Sequence, residues 1–123
     1  MNAQYSKAYT ADVDIAPYLI CKAGSADGFA TIAAASTDPI LGVSDNANVA
    51  AGQEVDIIRD GQALVTAGGT IAAGDFLTSN GTGQAITAAP ATGVNANIVG
   101  QADVSAVAGD VFPITIVLGK VQG

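Results

Sequence analysis

Few residues in this chain could do chemistry, and two acids on one predicted strand come first. Glu54 and Asp56 alternate with Val55 and Ile57, so both carboxylates project from the same face of that strand. Glycoside hydrolysis needs two carboxyl groups about 5–10 Å apart across a cleft. No aromatic residue that could stack on a sugar flanks this pair. Alternating acids are more typical of the solvent-facing side of a strand, and we interpret them so.

Nucleophiles and metal ligands are also scarce. The chain has no His and a single cysteine, Cys21, which excludes a Ser-His pair, an intrachain disulfide and a thiolate zinc site. Cys21 lies in an apolar run and is interpreted as a small buried residue. Segments 12–14 and 45–48 carry Asp and Asn without the spacing of a calcium loop, which indicates turns. We therefore predict no enzymatic activity, no metal and no cofactor.

Length and composition indicate one all-β domain. The chain has 123 residues, of which 50% are apolar, and Val and Ile greatly outnumber Leu. β-branched residues favour pleated strands, and 15 Gly and 4 Pro supply many turns, so we predict a compact β-barrel or sandwich of short strands. The net charge of −7 argues against nucleic acid as a partner. We expect no signal peptide and no membrane partner, because no apolar stretch is long enough.

An internal repeat is the most informative pattern. Residues 40–58 and 98–116 share an aliphatic pair, a Gly, a short polar segment, Val-Ala and then a Gly that opens a strand. The turn itself occurs three times, as Ala51-Gly52-Gln53, Ala73-Gly74-Asp75 and Ala108-Gly109-Asp110. Gly accepts a positive φ without steric cost, and the polar residue after it can hydrogen-bond nearby backbone. The repeat therefore predicts three similar turns, each followed by a strand.

Turn signals between apolar runs place the strands. Segments 18–21 and 28–32 read as a first pair of strands, and segment 76–78 is predicted to turn into 84–87. Asp60-Gly61 predicts a two-residue hairpin that returns through residues 63–66. The last strand, 111–118, is predicted to be central, although Pro113 indicates an edge or a bulge near its start.

The first fifteen residues differ from the rest. They show no clear periodicity and carry Tyr5, Lys7 and Tyr9 ahead of Pro17. We expect residues 1–15 to form an extended N-terminal arm that becomes ordered only against a neighbour, and residues 16–123 to form a single β domain. The arm residues Tyr5, Lys7 and Tyr9 are the candidate contact residues.

The order and spacing of these motifs resemble those of small phage capsid cement, or head decoration, proteins. The resemblance covers roughly residues 15–120. It is carried by Ile40-Leu41-Gly42-Val43, Val49-Ala50-Ala51-Gly52-Gln53-Glu54-Val55, Arg59-Asp60-Gly61, Ile71-Ala72-Ala73-Gly74-Asp75-Phe76-Leu77, Asn80-Gly81-Thr82-Gly83, and the segment from Ile98-Val99-Gly100 to Ala108-Gly109-Asp110. Gln53 departs from the pattern, because an acid is commoner there.

This resemblance implies a β-tulip-like or β-barrel domain that binds the outside of an expanded phage head. It implies the major capsid protein as partner, a homotrimer clamping neighbouring capsid subunits, and the virion surface as location after synthesis in the host cytoplasm. For self-association we nominate the strand with Phe112 and Pro113, taken as an edge strand. The alternatives are a carbohydrate-binding or adhesin module on a virion or cell surface, and a barrel enzyme of the glycosidase or esterase kind.

Overall fold

The computed structural model describes residues 5–90 and 92–122, and within these ranges it contains ten β-strands and no helix. The predicted all-β class is therefore confirmed. The strands are β1 (Tyr5–Ala11), β2 (Ile20–Ala23), β3 (Phe29–Ile32), β4 (Ile40–Ser44), β5 (Glu54–Asp60), β6 (Gln62–Thr66), β7 (Phe76–Ser79), β8 (Ala85–Thr87), β9 (Asn95–Ala102) and β10 (Val111–Gln122).

The two halves of the chain build the same sheet order. Strands β1 to β5 form a closed barrel in the order β1-β3-β2-β4-β5, in which β1 also pairs with β5. Strands β6 to β10 form a sheet in the order β6-β10-β9-β7-β8, and a parallel bridge between Ala67 and Ala85 joins its two edge strands. Adding five to each strand number of the barrel gives β6-β8-β7-β9-β10, which is the order of the sheet read in the opposite direction around the ring that this bridge closes. The repeat in the sequence is thus a repeat of the fold.

The three predicted Gly turns have the same hydrogen bonds. The N–H of Gly74 donates to Ala102 O at 2.8 Å, and the N–H of Ala102 donates back to Asp75 O at 2.9 Å. The same exchange joins Gly109 and Asp110 to Ala67 in the sheet, and Gly52 and Gln53 to Ala11 in the barrel. Each turn therefore clasps the end of a strand that is distant in sequence.

A fourth turn makes the same exchange of hydrogen bonds, with Tyr18 in the place of the Gly. The N–H of Tyr18 donates to Ser44 O at 3.2 Å, and the N–H of Ser44 donates to Leu19 O at 2.8 Å. Tyr18 has a φ of 64°, and it is the one positive-φ residue among the described ones that is not Gly. The bridge between Ile15 and Val49 joins the loop between β1 and β2 to the loop between β4 and β5; we call these two segments the clasping loops of the barrel. Because Tyr is not a usual positive-φ residue, the sequence pattern could not reveal this fourth copy.

Two apolar clusters form the core. One cluster lies within the barrel and contains buried residues of the first half only, namely Tyr9, Ala11, Ile15, Cys21, Ala30, Val55 and Ile57. The larger cluster joins both halves: Ile20, Ala33, Val43 and Ile58 of the barrel pack with buried residues of the second sheet. The interface between the halves is therefore a continuous hydrophobic core.

The predicted arm is different in the structure. Residues 5–11 form β1, which pairs antiparallel with β5 and parallel with β3 of the same chain, so this part needs no neighbour to order it. Tyr9 and Ala11 are buried, whereas residues 5–8 are exposed, and this weak alternation explains why the pattern did not read as a strand. Residues 1–4 of the predicted arm lie outside the described residues.

The prediction of a hairpin at Asp60-Gly61 is wrong, although the turn itself is present. Gly61 has a φ of 86° and the Asp60 carboxylate accepts its N–H at 2.9 Å. The chain then leaves the barrel, because β5 already pairs with β1 and β4 and has no free edge. β6 pairs with β10 instead.

Three other strand predictions are confirmed. β2 pairs with β3, β7 pairs with β8, and β10 is central, lying between β6 and β9.

Candidate docking surface

The candidate contact residues meet on one face of β1. Positions 5, 7 and 9 alternate along the strand and share a face. The Tyr9 side chain is buried in the barrel, and the Nζ atom of Lys7 lies 5.6 Å from the centroid of its ring. Tyr5, at the start of the strand, is 57% exposed. The structure therefore exposes Tyr5 and Lys7 on this face, whereas Tyr9, at 8% exposed, is a core residue beneath Lys7 and offers little surface to a partner.

Arg59 completes this surface and was not singled out from the sequence. Its Nη1 donates to the Tyr9 hydroxyl at 3.1 Å, and its Nε donates to Leu41 O at 3.0 Å. Tyr5 pairs with Asp60 and Ser6 with Ile58, so Arg59 is the extra residue of a β-bulge. Ile57 and Ile58 are both buried because they lie on opposite faces of β5, Ile57 in the barrel cluster and Ile58 in the cluster shared with the second sheet. We call Tyr5, Lys7, Tyr9 and Arg59 the cationic patch.

A cationic patch of this kind can bind an anionic group. Arg and Lys supply hydrogen-bond donors with fixed positive charge, and the tyrosines add apolar area with a polar end. An Arg in the inward register of a strand, just before an Asp-Gly turn, was the signal that could have identified Arg59.

Phe112 and Pro113 are placed differently from the expectation of an exposed edge strand. Phe112 is 2% exposed and belongs to the larger core cluster, so it is not available to another chain. β10 is an interior strand, and Pro113 lies one residue beyond the last Cα pair that β10 forms with β9, Ile114 with Ala102. A residue without an N–H is tolerated at the end of a ladder, so the proline marks a ladder end rather than a sheet edge.

The two acids of β5 lie where the alternation predicts. Glu54 and Asp56 are exposed, while Val55 and Ile57 are buried. The acids border a depression of about 100 Å³ that Asp45 and Val49 also line. The geometry agrees with a solvent-facing side of the strand.

The lone cysteine is buried, as predicted. Cys21 has no exposed surface, and desolvation raises the pKa of its thiol to about 12, although hydrogen bonds with Ser44 act in the opposite direction. The thiol stays protonated at neutral pH and is a poor nucleophile.

The acids of the predicted turns bind backbone and hydroxyl groups. Asp12 accepts the Ser25 N–H at 2.7 Å and its hydroxyl at 2.9 Å. Asp14 accepts the Ala51 N–H at 2.9 Å, and Asp45 accepts the Asn46 N–H at 2.8 Å. Across residues 5–90 and 92–122, no cluster of three or more potential metal-ligating side chains is found. The Asp45 contact is local, as in a turn, whereas Asp12 and Asp14 join segment 12–14 to the distant residues Ser25 and Ala51.

Asp38 forms an ion pair away from the cationic patch. Its carboxylate lies 3.2 Å from Lys22 Nζ and accepts the N–H groups of Ala34 and Ala35. Burial by itself would raise the pKa of this carboxyl, but the Ala34 hydrogen bond, Lys22 and the Ala35 hydrogen bond outweigh it, and the pKa is lowered. This ion pair fixes the loop between β3 and β4.

A depression of about 490 Å³ opens at the clasping loops of the barrel. Its lining combines apolar side chains such as Leu19, Ile32 and Val49 with Asp14 and Asn48. Of these, Ile32 and Val49 also pack against the barrel core. No described helix is long and apolar enough to cross a membrane.

Comparisons with known proteins identify a similar solved structure. No family model and no curated protein matches the chain. Among solved structures, the chain is similar to the "head fiber gp8.5 N base" of bacteriophage phi29, with a TM-score of 0.71 and 22% sequence identity. The match covers 98% of this chain and 100% of that chain. At this identity the likeness establishes a shared fold from one end of the chain to the other.

Proposed function

We propose that this protein is a structural capsid decoration, or cement, protein that binds the exterior of a phage head. The proposal depends on one observation. The fold matches the head fiber gp8.5 N base of bacteriophage phi29 over almost the whole chain. The independent resemblance of the turn motifs to capsid cement proteins supports the same role. The proposed location is the outer surface of the virion.

The proposed mechanism is mechanical and involves no covalent chemistry. The protein clamps neighbouring subunits of the major capsid protein, with Tyr5 and Lys7 in the contact and the buried Tyr9 supporting Lys7 from beneath. A stable contact of this kind buries about 800 Å² on each partner. We further propose a homotrimer, in which three modest contacts act together and the attachment becomes nearly permanent. β1 suits this role because its position in a closed barrel holds the contact residues rigid before docking.

The test is co-sedimentation with expanded, undecorated heads of the cognate phage. We expect the protein to sediment with heads and to raise the temperature at which they disrupt. Tyr5→Ala should weaken binding, while Phe76→Ala, which removes another exposed aromatic on the second sheet, should leave it unchanged. Native mass spectrometry of free and head-bound protein measures the oligomeric state.

Two results would contradict the proposal. Heads that neither bind the protein nor gain stability would remove the capsid role. Specific binding on a glycan array, with no binding to heads, would instead support a carbohydrate-binding module.

A further inference from the structure

Positively charged side chains are rare in this protein, and they differ in whether they form ion pairs. The chain has four Lys and Arg residues against eleven Asp and Glu residues. The one ion pair between described residues joins Lys22 and Asp38. Lys7 and Arg59, half of all the cations, meet at Tyr9 without an acidic partner in residues 5–90 and 92–122. In a chain so rich in acids, two neighbouring cations that form no ion pair with the described residues indicate a surface whose negatively charged partner belongs to another molecule.

Arg59 is held ready for such a partner. Arg59 lies at the bulge in β5, and its hydrogen bonds to Leu41 O and to the Tyr9 hydroxyl fix the guanidinium. These bonds use Nε and Nη1 and leave Nη2 without a partner among the described residues. A fixed guanidinium loses little entropy on binding, and its planar donors match a carboxylate well. Because Arg59 is half-buried, its attraction to an anion is screened less than that of an exposed lysine.

We propose that the cationic patch binds carboxylate groups on an acidic surface segment of the partner protein. This inference rests on the proposed function and names the chemistry of the contact: Arg59 and Lys7 bind Asp or Glu, and Tyr5 packs beside them. A polynucleotide fits less well, because the net charge of −7 repels a dense polyanion and the patch offers two cations.

The first experiment measures head binding as a function of salt for matched charge variants. Lys7→Glu and Arg59→Gln are compared with Lys120→Glu, which changes an exposed lysine on β10. Circular dichroism and thermal unfolding verify that each variant folds. We expect Lys7→Glu to weaken binding at least tenfold, Lys120→Glu to change it less than twofold, and the affinity of the native protein to fall as NaCl rises from 50 to 500 mM. Equal effects of Lys7→Glu and Lys120→Glu, or binding that does not depend on salt, would overturn the inference while leaving head binding itself established.

The second experiment does not depend on heads. Nuclear magnetic resonance follows the backbone amides of the full chain during titration with an octaglutamate peptide and, separately, with an eight-nucleotide oligothymidylate. We expect the peptide to shift amides of residues 5–9 and 57–60, and Lys7→Glu to abolish these shifts. Peptide shifts that are absent or lie elsewhere would contradict the inference, and tighter binding of the oligonucleotide at the same amides would assign the surface to a polynucleotide instead.

Discussion

At the scale of single residues, the clasping turns depend on backbone that only glycine adopts easily. Gly74 and Gly109 have φ values of 91° and 93°, and a Cβ added at either position would meet no heavy atom within 4 Å. A side chain would therefore fit in space but not in conformation. The same position in the fourth copy is Tyr18, which is held by hydrogen bonds at both its N–H and its C=O. Neighbouring structure can thus impose a positive φ, but at a cost in free energy.

Gly74→Ala and Gly109→Ala should each lower the free energy of unfolding by about 1 kcal/mol, because alanine resists a positive φ. The matched control is Gly119→Ala. Gly119 has equally open space around its Cβ position but no positive φ, so this variant should be neutral or slightly stabilising. Urea unfolding followed by circular dichroism measures all three variants. A similar loss in all three would show that the positive φ is not what makes Gly74 and Gly109 sensitive to substitution.

At the scale of elements, β1 decides whether the barrel closes. β1 is the strand that joins β5 to β3, and its residues Tyr9 and Ala11 contribute to the barrel core. Without β1, the edges of β3 and β5 would lose their backbone partners, and Val55 and Ile57 would lose part of their cover. A contact surface on such a strand is preorganised, in contrast to an arm that must be ordered on docking.

Deletion of residues 1–11 should therefore abolish the cooperative fold. We expect the truncated chain to lose its sigmoidal thermal transition and to bind a hydrophobic dye, because the core of the barrel becomes exposed. A chain that lacks only residues 1–4 keeps all of β1 and is the control. If the longer deletion unfolds at the same temperature as the full chain, β1 is dispensable and behaves as the arm that the sequence suggested.

At the scale of the whole molecule, the repeated halves share one core. Ile20, Val43 and Ile58 of the barrel pack with Val65, Ile114 and other buried residues of the second sheet. Neither half can expose these side chains without a large loss of hydrophobic free energy. A continuous core between the halves opposes hinging between them, as the proposed clamping role requires.

The two halves should consequently unfold together. All three tyrosines, Tyr5, Tyr9 and Tyr18, belong to the first half, so tyrosine fluorescence reports on the barrel while circular dichroism reports on both halves. The two urea curves should coincide for the native protein. Ile114→Ala, a core change in the second half, should lower the free energy of unfolding by about 2–5 kcal/mol. The midpoints of both curves should then fall by the same amount. Separate midpoints would reveal two independent folding units.

The sequence by itself determined the all-β class, most of the strands, the three Gly turns and the scarcity of catalytic groups. These features are local: alternation and turn chemistry act over a few residues, and a missing residue type is missing in any fold. Glu54 and Asp56 on the exposed face of a strand, and Cys21 in the core, followed from such local patterns.

The tertiary structure alone decided which strands are partners. Two neighbours on β5 left no edge for β6, closure of the barrel made a strand of residues 5–11, and the packing of both halves buried Phe112. Arg59 meets Tyr9, 50 residues away in the chain, because β1 and β5 are neighbours in the closed barrel. Partner choice depends on edges and faces brought together by the whole chain, and this information is absent from any short segment of it.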